Sequence, residues 1–134
     1  MRFLIAGILA AAVSWMGNRA ALKIMGTKVI VVLAPFIEEL AKSSAAVLTG
    51  SSMILTHTMF GLIEGLYDAW DSGWPGVGAG LASLLGHVFY GVVTYLVWQR
   101  LGVFWAAVLA GYVVHMLWNI AVMKFVVKKR RVTG

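Results

Sequence analysis

The chain has 134 residues, of which 61% are hydrophobic and 12% charged, and its mean hydropathy is +0.90. A water-soluble domain of this length needs far more polar surface, so the composition describes an integral membrane protein, one domain over 1–134. Cysteine is absent, which excludes a thiol nucleophile, a disulfide framework and a thiolate metal site; the net charge of +6 sits in topogenic clusters and implies no nucleic-acid partner.

A membrane-spanning helix needs roughly 20 mostly apolar residues. The chain supplies five such stretches, which predicts an all-α, polytopic membrane helix bundle of about five transmembrane helices. The first, 3–17, follows Arg2 and ends in small residues, as a cleaved signal does. One basic residue before it and three after it favour instead an uncleaved helix with its N-terminus outside. The stretch NRAALKIMGTK (18–28) is the predicted first connection. The second span, 29–49, contains PFIEELAKSS and so places Glu38, Glu39 and Lys42 inside an apolar run. The third, 52–70, carries His57 near its start and Glu64 near its end. DSGWPGVGAG (71–80) is the other predicted loop, with Asp68 and Asp71 expected to be solvated beside it. The fourth span, 77–98, has no formal charge but contains His87; the fifth, 101–123, contains His115 and Asn119.

Five alternating helices put Arg2 and Arg100 on one side. Arg19, Lys23, Lys28, Lys124, Lys128, Lys129, Arg130 and Arg131 fall on the other. The excess of Lys and Arg marks the second side as cytoplasmic. The expectation is a multi-pass cell-membrane protein with its N-terminus outside and its C-terminus inside. Trp15, Trp70 and Trp74 fit an inner interfacial belt and Trp98 and Trp105 an outer one, whereas Trp118 fits neither. The KKRR run at 128–131 reads as a topology anchor on the lipid bilayer.

At a rise of about 1.5 Å per residue, Glu39 and His87 lie roughly 15 Å deep, His115 about 12 Å, Glu64 about 9 Å and Asn119 about 6 Å. All are in the cytoplasmic half, on four different helices. Glu38 and Lys42 stand at i and i+4, the favourable order for attraction, with Glu39 about 100° away. His115 and Asn119 are also i, i+4. Pro35, one turn before Glu39, cannot donate its backbone hydrogen bond and is expected to bend the helix near the acids. Gly61 and Gly65 flank Glu64, and small residues let membrane helices approach closely. An ionised residue at mid-membrane costs about 2.5–3.5 kcal/mol even on insertion scales, so these groups call for a function or for partners.

Hydrolysis is one such function. A zinc enzyme of the His-Glu-x-x-His type is excluded by the absence of that motif. Ser43 and Ser44 lack the glycine-flanked elbow of a serine hydrolase. Asp68 and Asp71, on one connection, cannot form an aspartyl dyad. What remains is glutamate, histidine and asparagine. A metal site from His87, His115 and Glu64 has no recognisable spacing.

Glu38-Glu39-x-x-Lys42, then Phe60-x-x-x-Glu64, then His87, then His115-x-x-x-Asn119, on successive helices, resembles the PrsW-type glutamic intramembrane proteases. These are relatives of the CAAX prenyl endopeptidases and of bacteriocin-processing enzymes. The resemblance covers about 29–123. The CAAX branch has His at the position of Glu64 and Arg one residue beyond Lys42, so the chain follows the PrsW variant. The resemblance implies a metal-independent peptidase with no cofactor, cleaving a membrane-anchored protein or peptide. Glu38 is then the general base, Glu39 and Lys42 tune or orient it, and His115 and Asn119 stabilise the oxyanion. Either His87 partners the base or Glu64 shares a proton with it.

Other readings of the same residues stand beside this one. Glu38–Lys42 serves as a structural ion pair, Glu64 snorkels to the interface, and His57, His87 and His115 hydrogen-bond between helices. A proton- or ion-coupled transporter uses the same residue types as relays but needs a path open to both sides. A non-catalytic membrane subunit retaining a protease core is a third class.

Overall fold

The computed structural model describes residues 1–26 and 29–133, with the side chains of 27–30, 75 and 125–134 outside the description. Lys28 and the 128–131 run therefore lie outside the described side chains. Within them the chain is five helices and no strand: α1 (Arg2–Met25), α2 (Val29–Thr49), α3 (Met53–Ser72), α4 (Trp74–Leu101) and α5 (Phe104–Thr133). The most extensive interface is α3 on α4. Helix α1 lies on α2 and α3, and α5 on α4 and α2.

Burial is inverted relative to a water-soluble bundle. Leu, Ile, Val and Trp side chains cover the outside, among them Ile5, Ile8, Leu48, Leu66, Leu85 and Leu117. The buried interior holds small residues (Ala6, Ala10, Ala46, Ala107) and polar ones: Glu39, Lys42, Ser43, Thr56, His57 and Thr94 are all 0% exposed. Such an arrangement is stable only where the surroundings are hydrocarbon. Helices α1, α4 and α5 are long and apolar enough by composition to cross a membrane. Helices α2 and α3 are not among these: α2 carries Glu38, Glu39 and Lys42, and α3 is less apolar, with Thr56, His57, Thr58, Glu64 and Asp68 along it. Their outward residues, Val32, Val47, Leu48, Leu55, Leu62 and Leu66, are nonetheless apolar and exposed. The charges of α2 lower its mean hydropathy while pointing inward.

Both predicted loops are largely helix. The first span does not end at residue 17: α1 continues to Met25 and is capped by Gly26, whose N–H bonds Leu22 O. Ala20, Ala21, Leu22 and Lys23 are strong helix formers, and at 24 residues α1 is about 36 Å long, beyond the hydrocarbon thickness. The 71–80 loop shrinks to one residue, Gly73, at φ 62°. That left-handed backbone is unstrained only for glycine. Trp74–Pro75 then opens α4, where proline in the first turn forfeits no helical bond.

Glycines in α4 that look like loop residues are contact points. Gly80 meets Gly65 of α3 backbone to backbone, and Gly76 lies on the backbone of Asp68. Further along, Gly61 of α3 faces His87, and Gly91 of α4 faces His57; in each case an added Cβ would come within 2.7 Å of the histidine Cβ. The α3–α4 seam thus presses both imidazoles toward α2. The α2 helix runs unbroken through Pro35, which is buried.

Candidate active site in the bundle interior

Four helices bring Glu38, Glu39, Lys42, Glu64, His87 and His115 together, and the bonds among them fix who faces whom. Lys42 Nζ donates to Glu39 Oε1 at 2.6 Å. The expected i, i+4 partner, Glu38, is not its hydrogen-bond partner. A lysine reaches i−3 as well as i−4 on a helix, and the buried Glu38 carboxylate is turned instead to Asn18 of α1 and to the cavity. The second contact of Lys42 Nζ is His87 Nδ1, at 2.8 Å. An ammonium can only donate, so His87 Nδ1 accepts and its Nε2–H donates to Glu64 Oε2 at 2.6 Å. Ser83 Oγ donates to the same oxygen at 2.6 Å. The ammonium also lies 4.6 Å from the Phe60 ring centroid, a cation–π contact. Both nitrogens of His87 are thereby engaged. It links Lys42 to Glu64 rather than partnering Glu38.

His115 Nδ1 lies 3.0 Å from Glu39 Oε1. A carboxylate accepts, so Nδ1 carries the proton and Nε2 presents a lone pair. That Nε2 faces Glu38 Oε2 at 3.8 Å. The ring of His115 is stacked on Tyr90, with centroids 4.4 Å apart and planes 17° from parallel. Glu38 Oε1 accepts from Asn18 Nδ2 at 3.0 Å, while Glu38 Oε2 has no partner. Asn18 was placed in a connecting loop; it belongs to α1 because the helix runs on past residue 17.

A cavity of about 360 Å³ opens on this cluster. Its wall includes Glu38, Glu64, His87 and His115, with Asn119 one turn beyond His115 and Trp118 beside it. Trp118, which fits neither interfacial belt, is thus a cavity residue. Glu39 and Lys42 do not line it. They sit behind the wall and hold the residues that do. Asp68, expected to face a loop, also lines the cavity.

Two features escape a sequence reading. Ser83 carries no motif. His57, expected to be structural near the outer end of its span, is fully buried with Nδ1 3.5 Å from Glu39 Oε2. The 57, 61, 65 line, two glycines and a histidine at four-residue intervals, was the available signal that His57 shares the face of α3 that meets the centre.

Glu38, His87 and His115 each offer one ligand-capable atom, all within 4.8 Å of one another. Two imidazoles and a carboxylate suit zinc. Lys42 lies against this group, and a cation there has to displace the bonds of His87 to Lys42 or Glu64.

Comparison with family models, with curated proteins and with solved structures gives no match to this chain.

Proposed function

We propose that the protein is an intramembrane endopeptidase that hydrolyses a peptide bond in a membrane-associated protein or peptide, as the likeness of its motifs to PrsW-type proteases implies. The observation that carries this is the pair Glu38 Oε2 and His115 Nε2, 3.8 Å apart at the edge of a cavity, with no hydrogen-bond partner for the carboxylate oxygen. Two acceptors so placed hold a water between them that donates to one or both. Glu38 takes a proton from that water as its oxygen bonds to the substrate carbonyl carbon. The carbonyl electron pair moves onto oxygen, and the resulting oxyanion lies against His115 and Asn119. Collapse expels the amine, which recovers the proton from Glu38.

The bonds of His115 refine its role. With Nδ1–H committed to Glu39, its Nε2 donates to an oxyanion only as an imidazolium, formed when the water's proton passes on from Glu38 Oε2 to Nε2 and returned by the same route to the leaving amine, with the Glu39 carboxylate balancing the charge meanwhile. Glu39 and Lys42 therefore act through His115 and His87 and do not touch substrate. The cytoplasmic placement of the cavity follows from the distribution of Lys and Arg, with the N-terminus outside and the C-terminus inside.

A second reading rests on a different observation. Glu64, His87, Lys42, Glu39 and His57 form a chain of contacts of 2.6–3.5 Å running inward from the cavity. Such a chain is the form of a proton relay, as in a coupled transporter.

Sequencing of protein termini in membranes from cells carrying wild type or Glu38→Gln separates the two. The peptidase reading expects new termini in one or a few membrane proteins with wild type and none with Glu38→Gln, since a general base supplies about 10²–10⁴-fold. Identical sets of termini, with protons crossing proteoliposomes of the wild type, select the relay.

A further inference from the structure

Behind the cavity wall, on the side of Glu39 away from Lys42 and His115, lies a group of polar atoms that the proposed reaction does not use. His57, Ser43, Thr94 and Glu39 are all completely buried. Neither ring nitrogen of His57 has a hydrogen-bond partner, nor do Glu39 Oε2, Thr94 Oγ1 and Ser43 Oγ. They come from three helices, α2, α3 and α4. His57 Nδ1 and Glu39 Oε2 are 3.5 Å apart. Thr94 Oγ1 and the same Glu39 oxygen both occupy the space that a Cβ on Gly111 would need, so no side chain could fit there. Buried polar groups in native proteins are satisfied, and here one carboxylate oxygen stands near two potential donors, His57 and Thr94, in a site closed to bulk water.

We propose that His57 is a positioning residue. Its Nδ1–H donates to Glu39 Oε2 after a shift of a few tenths of an ångström, and Thr94 completes the oxygen's shell. The consequence is geometric. Glu39 Oε1 holds both Lys42 and His115, but bonds to one oxygen leave the second free to swing about it. A donor on Oε2 fixes the plane, and with it the tautomer and tilt of His115 that aim Nε2 at Glu38. Gly91, where His57 meets α4, and Gly111, where α5 meets the carboxylate, are the small residues this clamp requires.

The bond stands apart from the peptidase reading, whereas its catalytic consequence rests on it, so the test has two arms. The chain contains three histidines, and nitrogen NMR of protein labelled with ¹⁵N-histidine, assigned by single substitutions, resolves each ring's tautomer. The expected result is His57 with its proton on Nδ1 and a shift of both His57 and His115 on Glu39→Gln. His57 with its proton on Nε2, unmoved by Glu39→Gln, overturns the proposal. The second arm is cleavage of the substrate found by terminal sequencing. His57→Phe fills the space without a donor, and His57→Asn places an amide N–H near the original Nδ1. The expected outcome is a kcat about tenfold or more lower for His57→Phe with KM nearly unchanged, and recovery of most of it in His57→Asn. A kcat that His57→Phe leaves alone, or an equal loss in both variants, contradicts positioning and points to packing alone. A wild type that cleaves nothing defeats the peptidase reading and leaves the bond to be decided by the spectrum.

Discussion

At the scale of single residues, the centre of the molecule is the Glu39 carboxylate. It is fully buried, yet it is bonded by Lys42 and His115. Removing one partner of a buried ion pair typically costs about 3–5 kcal/mol, because the other charge is left uncompensated. This is why Glu39 and Lys42 are best understood as one unit. His115, by contrast, lines the cavity, and the role proposed for it is separable. A glutamine there presents an N–H donor near Nε2 but cannot accept a proton from water. If His115 is an oxyanion donor, His115→Gln retains about tenfold or more activity over His115→Ala, within the range that one donor contributes. Equal loss in both, measured as kcat on one substrate, would instead make His115 the base. The sequence places these residues at similar depths on four helices, and the structure brings Glu38, Glu39, Lys42, Glu64, His87 and His115 into one cluster, but the sequence reading pairs Lys42 with the wrong glutamate. Both spacings, i+3 and i+4, satisfy a helix; the choice depends on which carboxylate faces the neighbouring helices, and that is tertiary information.

Among the elements, the α3–α4 seam decides whether the site exists. Gly65 against Gly80, Gly61 against His87 and Gly91 against His57 bring the two helices to backbone contact. Small residues provide this closeness in membranes, where apolar burial offers no drive between helices. Gly80→Leu is expected to part the helices, break the His87–Glu64 bond and lower both thermal stability in detergent and any activity. Gly78→Leu, on a glycine with nothing within 4 Å, is expected to leave both unchanged. Equal effects of the two substitutions would refute the seam. This element is also where a local sequence reading errs. Glycines and a proline at 71–80 signal a loop in water. In this bundle Gly76 and Gly80 are contact residues, and the proline is harmless in a helix's first turn. The charges of 18–28 similarly suggest a connection, although the helix formers among them carry α1 to Met25 and deliver Asn18 to Glu38.

For the whole molecule, the membrane class was legible from composition, and the number of helices from the apolar stretches along the chain. Orientation in the bilayer rests on charge. The absence of cysteine makes it directly testable with a single introduced thiol. Val103→Cys, at the α4–α5 turn, is expected to react with an impermeant maleimide on intact cells. Trp74→Cys, at the α3–α4 turn, is expected to react only after permeabilisation. The opposite pattern would put the cavity on the outer side. What no amount of local reading supplies is the convergence of α1 on the acids and the placing of His57 and Thr94 behind Glu39, because both depend on how five helices settle against one another.

The central claim, that Glu38 activates water without a metal, is tested most directly with purified protein in liposomes and the membrane-anchored substrate, by timing cleavage with a strong chelator present. The account predicts that wild type cleaves undiminished and that Glu38→Gln is slower by about 10²–10⁴-fold. Cleavage by Glu38→Gln at the wild-type rate, or chelator inhibition that zinc restores through Glu38, His87 and His115, would contradict it.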